Sequence, residues 1–137
     1  MIIADTTVII DLWRGKKNIK KCLERKKNEK LCVSAITIEE IYDGLGYTKE
    51  KKGLELFEKI KDQYEKIFGD FEIIHIDIII LKQSGIKKGQ LRSKGIIMDT
   101  ADCIIGITAE IIKVNSIITR NPKHFEEFQT EILSYEV

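Results

Sequence analysis

The sequence predicts a single α/β domain over residues 1–137, with a mainly parallel five-stranded sheet and helices on both of its faces. Short β-branched runs such as Met1–Ala4 and Ser116–Thr119 recur along the chain and stop abruptly, as buried strands do. Longer stretches carry apolar residues at intervals of three and four, the spacing of amphipathic helices. The two kinds alternate, which is the pattern of a parallel sheet, because parallel neighbours need a crossover connection. Hydrophobic residues at 43% and charged residues at 33% suit one packed core and argue against disorder or a membrane protein.

Taken in order, "MIIA" is the first strand, and it ends on the carboxylate of Asp5 followed by the hydroxyls of Thr6 and Thr7. "NIKKCLERKKNEK" reads as a charged helix with Ile19, Cys22 and Leu23 on one face. "LCVSAI" is the second strand, and "TIEEIYDGLG" a short helix ended by glycine. Leu54, Phe57, Ile60, Tyr64 and Ile67 define an amphipathic helix over 49–68. "FEIIHI" is the third strand, with His75 in the core or at its rim. A helix follows from Asp77 to about Arg92, loosened by Gly85 and Gly89. "DTADCIIGITAEIIKVN" is apolar on most sides and reads as a buried helix. "SIIT" is the fourth strand, "RNPKHFEEF" a turn with a short helix, and "EILSY" the fifth strand. No repeat, linker or change of composition marks a second domain.

Lys+Arg 23 against Asp+Glu 22 leaves almost no net charge, so any contact with nucleic acid has to come from local patches. Two stretches qualify. "RGKKNIKKCLERKKNEK" is strongly basic with only Glu24 and Glu29 opposing, and "KQSGIKKGQLRSK" has no acid at all. Each is read either as a solvated helix face or as a phosphate-binding path. Cys22, Cys32 and Cys103 are scattered without metal-ligand spacing, which suits a reducing cytosol. Asp5 and Asp11 interrupt the N-terminal apolar stretch, and Ile73–Leu81 is too short to span a bilayer. A cytoplasmic protein without membrane association is expected.

Parallel sheets bind ligands outside the carboxyl ends of their strands. Asp5 stands at one such end, and Asn121 two residues beyond another. Two further acids begin helices. Thr37-x-x-Glu40 has capping-box spacing, and Asp99-x-x-Asp102 could equally be an N-cap with its partner. Asp5 has no capping box of its own. Clustered carboxylates would repel one another unless a hard cation such as Mg²⁺ or Mn²⁺ shared their oxygens. Such an ion generates a nucleophile from water and stabilises charge on a phosphate, so the chemistry implied is phosphodiester hydrolysis.

"IADTTVIID", "SAITIEEIYDG", "DCIIGITA" and "IITRNPKHF", in this order, resemble the successive motifs of PIN-domain ribonucleases, in the branch of VapC-type toxins of toxin–antitoxin pairs. The resemblance covers essentially the whole chain and implies the strand order 3-2-1-4-5. It implies that Asp5, Glu40 and Asp102 are catalytic and hold Mg²⁺ or Mn²⁺, with Thr7 supporting Asp5. Asn121 matches the fourth polar position, Asp99 is an additional acid, and Thr119 closes the strand that leads to them. Arg120 is the candidate RNA phosphate contact. The implied partners are RNA, an antitoxin protein and a second copy of the chain. Two departures stand out: Gly106-Ile107 replaces the usual alanine pair, and the stretch from Asp102 to Thr119 is one residue longer. The alternatives are a non-catalytic RNA-binding or RNA-processing assembly module on the same fold, and aspartyl-phosphate chemistry. The latter wants an acid where Thr7 stands.

Overall fold

The computed structural model describes residues 1–137. Five strands form one sheet: β1 (Ile2–Ala4), β2 (Leu31–Ser34), β3 (Glu72–Ile74), β4 (Ser116–Thr119) and β5 (Glu131–Ser134). Their order is β3-β2-β1-β4-β5 and every pairing is parallel, as the alternating pattern requires. Six helices connect them: α1 (Thr6–Trp13), α2 (Lys17–Arg25), α3 (Ala35–Lys52), α4 (Leu54–Phe68), α5 (Ile78–Ser93) and α6 (Thr100–Ile112). A single 3₁₀ turn spans Pro122–Phe125.

The two-residue period of the strands divides the core in two. Ile2, Ala4, Val33 and Ile118 face α1–α4, where Val8, Ile9, Ile19, Ile41, Leu45 and Tyr64 complete one cluster. Ile3, Cys32 and Ile117 face the other way, onto Cys103, Ile104 and Ile107 of α6, with Phe125 and Phe128. The central strand β1 is fully buried on both faces. In α6 every residue from Cys103 to Ala109 is buried, as its nearly all-round apolar sequence predicts.

Three elements differ from the sequence reading. Helix α1 starts directly after Asp5, although "TTVIIDLW" is rich in β-branched residues. Asp5 caps it, its carboxylate accepting from the Val8 amide at 3.4 Å, and burial of the apolar Val8 and Ile9 outweighs the weak local preference. The helix after β2 does not end at Gly44 or Gly46. It runs to Lys52: Leu45, buried between the two glycines, holds the helix across Gly44, and a glycine in a helix costs only about 1 kcal/mol. The break falls instead at Gly53, whose φ of 97° suits glycine alone, and it divides the expected 49–68 helix between α3 and α4. His75 lies just beyond β3 and is exposed.

Gly106 is required by packing. A Cβ there would stand 2.4 Å from the Phe128 ring, which is itself buried and would have to shift. Glycine at this point of α6 thus accommodates the aromatic ring beside it.

Candidate active site

Asp5 sits where the central strand turns into α1, and it is only 2% exposed. Each of its carboxylate oxygens receives a hydroxyl: Thr7 Oγ1 donates to Oδ1 at 2.5 Å and Thr119 Oγ1 to Oδ2 at 2.6 Å. Burial raises its pKa, and these hydroxyls with the nearby backbone amides pull in the opposite direction.

Glu40 is solvent-facing on α3, and its Oε1 accepts from Thr6 Oγ1 at 2.5 Å. Thr6 is also 3.0 Å from Thr37 Oγ1. Because Thr6 spends its one proton on Glu40, Thr37 is the donor of that second bond. The capping-box reading of Thr37 and Glu40 is therefore corrected. Ser34 is the N-cap of α3, accepting from the Ile36 amide at 3.2 Å, and Thr37 lies a turn inside the helix, fully buried.

Asp99 does cap α6, accepting from the amides of Ala101 at 2.9 Å and Asp102 at 3.4 Å. Asp102 is no capping partner; its Oδ2 lies 3.1 Å from Nδ1 of His124, on the 3₁₀ turn after β4. The sequence motifs assign no role at the site to His124 or to Thr6. The only signal for His124 was its position three residues after Asn121, which a 3₁₀ turn brings round to the same side.

Asp5, Glu40, Asp99, Asp102, Asn121 and His124 line one open cleft of about 310 Å³. The acids come from the end of β1, from α3 and from the start of α6, so the fold brings together what the chain separates. They also act on one another. Burial and the charges of Asp99 and Asp5 raise Glu40, whereas Thr6 lowers it. Asp102 is raised from 3.8 to about 6 by burial and by Asp99, Asp5 and Glu40, with His124 acting against them. No three His, Cys, Asp or Glu side chains are yet gathered at ion-binding spacing. The oxygens of Asp5, Glu40 and Asp102 are instead turned onto Thr7 and Thr119, onto Thr6 and onto His124. The donor set nevertheless fits a hard divalent cation: oxygen ligands, repelling charges and an open side for solvent.

This repulsion has a measurable sign. A carboxyl raised in the folded state stabilises fully below its unfolded value near 3.8, and that contribution is lost as pH rises through about 6. Asp102→Asn should therefore make the metal-free protein more stable at pH 7–8 by about 1–2 kcal/mol, allowing for solvent screening, with the difference shrinking towards pH 4. Urea unfolding in EDTA at several pH values measures this. A variant less stable at pH 8 would contradict it.

The remaining candidates divide. Asn121 lines the cleft, and its backbone amide donates to Thr119 Oγ1 at 2.9 Å. Arg120 turns inward: its Nη1 lies 3.4 Å from Oδ1 of buried Asp11, so its side chain is committed to an ion pair. The second basic stretch is partly structural, with Lys87 Nζ donating to the Glu127 carbonyl at 2.7 Å and Lys88 to Thr100 Oγ1 at 2.5 Å. Trp13 stacks on Tyr64 with ring centroids 5.3 Å apart, and Tyr42 donates to Glu65, so both serve packing.

The family model for the PIN domain matches residues 2–130. Ribonuclease VapC1 of Methanocaldococcus jannaschii is 35% identical over 129 residues, which cover 93% of this chain and 81% of that protein. Among solved structures, VapBC2 from Rickettsia felis, bound to a DNA fragment from its promoter, matches with a TM-score of 0.82 at 21% identity, covering 99% of this chain and all of that one. FitAcB from Neisseria gonorrhoeae matches with a TM-score of 0.79 at 22% identity, covering 97% and 96%. No helix of the chain is long and apolar enough to cross a membrane.

Proposed function

The chain belongs to the PIN-domain family, and from that premise we propose that it is a divalent-metal-dependent endoribonuclease, the toxin of a toxin–antitoxin pair. One observation carries the reading: four carboxylates from the end of β1, from α3 and from the start of α6 share a cleft, and the charges of their neighbours add to burial in raising the pKa values of Glu40 and Asp102. Such an arrangement is costly in the folded protein alone. Mg²⁺ or Mn²⁺ bound there would offset the repulsion, activate water and stabilise the charge of a phosphodiester in transit.

The residues of the chain then have separable tasks. Asp5 is the fixed ligand, since both its oxygens are aimed by hydroxyls and it cannot swing. Glu40 and Asp102 are the adaptable ones, each tethered by a single side-chain partner at the mouth of the cleft. Asp99 has one oxygen on the α6 amides, and Asn121 adds a neutral polar group that does not increase the repulsion. His124 keeps Asp102 directed at the cleft. Lysines and Arg25 along α2 are the available phosphate contacts, and the pairing of Arg120 with Asp11 makes Arg120 a weaker candidate for that task.

An apolar groove of about 230 Å³ between α1, α3 and α4 shares Ile10 and Glu40 with the acid cleft. It supports an antitoxin segment lying beside the acids. Exposed Ile78, Ile79, Ile86 and Ile97 support a further protein-covered surface, such as that of a homodimer. The likeness in fold to VapBC2 and FitAcB supports the same reading, and a cytoplasmic site of action belongs to it. Incubation with a panel of defined tRNA, rRNA and mRNA fragments tests it. Internal cleavage should occur with Mn²⁺ or Mg²⁺ and stop in EDTA, and cleavage that persists in EDTA would refute metal dependence.

A further inference from the structure

We infer that Asp11, Tyr135 and Arg120 form a buried brace that positions Asp5, which makes Asp11 a positioning residue for the reaction although it does not line the cleft. This rests on the reading of Asp5 as the fixed metal ligand. Asp11 is fully buried on α1. Its Oδ2 accepts from the Tyr135 hydroxyl at 2.7 Å, just beyond β5. Its Oδ1 receives no hydrogen bond and has only the guanidinium of Arg120 at 3.4 Å to compensate its charge. A buried carboxylate without a partner is strongly unfavourable, so Arg120 is held inward.

That hold reaches Asp5 through the backbone. The Arg120 amide donates to Thr7 Oγ1 at 3.3 Å, and the Asn121 amide donates to Thr119 Oγ1 at 2.9 Å. A hydroxyl has one proton to give. With an amide already donating to each oxygen, Thr7 and Thr119 direct their protons onto the two oxygens of Asp5. The segment 119–121 thus sets the direction of both hydroxyls, and its middle residue is pinned by Asp11. Mobility of that segment would let either hydroxyl rotate away and leave the Asp5 carboxylate free to turn.

Tyr135→Phe and Asp11→Asn in the full chain test the brace. The readouts are Mn²⁺ affinity by titration calorimetry, kcat and KM on a cleaved RNA, and hydrogen exchange at the amides of Arg120 and Asn121, all well below the melting temperature. Both variants should bind Mn²⁺ about 10-fold more weakly and lose kcat by a similar factor with KM for RNA unchanged. The two amides should exchange faster while amides in α6 stay protected. A purely structural pair would lower the melting temperature and leave these readouts at wild-type values, which would overturn the inference. If Asp11→Asn does not fold, Tyr135→Phe, which loses only one O–H donor, decides. Should the wild type neither bind Mn²⁺ nor cleave RNA, the nuclease reading has failed, and unchanged exchange at Arg120 and Asn121 would overturn the brace as well.

Discussion

Asp5→Asn is expected to reduce RNA cleavage by about 10²–10⁴-fold, the loss of several kcal/mol of charge stabilisation, while leaving the fold intact. Asparagine serves as well as aspartate at a helix N-cap, so α1 keeps its start. Its amide nitrogen cannot accept a hydrogen bond, so the hydroxyl of Thr7 or Thr119 loses its acceptor, at a cost of about 1 kcal/mol. Relief of a buried charge works in the opposite direction. A cleavage assay beside a thermal melt therefore separates the two effects: activity should vanish and the melting temperature should stay close to that of the wild type. An active Asp5→Asn protein would remove this carboxylate from the reaction altogether.

Addition of Mn²⁺ should raise the melting temperature strongly, because the ion binds the converged acids and finds no such arrangement in the unfolded chain. At 100-fold over its dissociation constant the gain is about 2.7 kcal/mol. For a chain of this size that corresponds to roughly 8–10 °C. EDTA should reverse the shift, and Asp102→Asn, already relieved of repulsion, should start higher and gain less. A flat response at millimolar Mn²⁺ would mean that the acids serve only as caps and surface charges.

The elements legible in the sequence are those whose local pattern and tertiary burial agree. The buried run of α6, the β-branched strands and the extent of α5, read as Asp77 to about Arg92 and found at Ile78–Ser93, are of this kind. Helix α1 was not legible, because its residues prefer strands locally and adopt a helix only once Asp5 caps it and the sheet buries it. The glycines of α3 misled for the opposite reason: they resemble a stop, but burial of Leu45 between them and the small cost of a helical glycine let the helix run on. In the site, the motif residues Asp5, Glu40, Asp99, Asp102 and Asn121 were all named from the sequence. Their partners Thr6, His124 and Asp11 were not, because a hydroxyl, an imidazole or a buried acid has no spacing rule that announces which distant group it will meet.

The alternation of strands and helices and the candidate acids are legible in the sequence, since hydrophobic period and residue type are written into neighbouring positions. Which oxygen of each acid is held, by which hydroxyl or imidazole, and at what cost in repulsion was decided by tertiary structure alone. The reason is physical: hydrogen-bond direction and charge–charge energy depend on distances between residues that lie as far apart in the chain as Asp5 and Thr119, and only the closed sheet brings them within 2.6 Å.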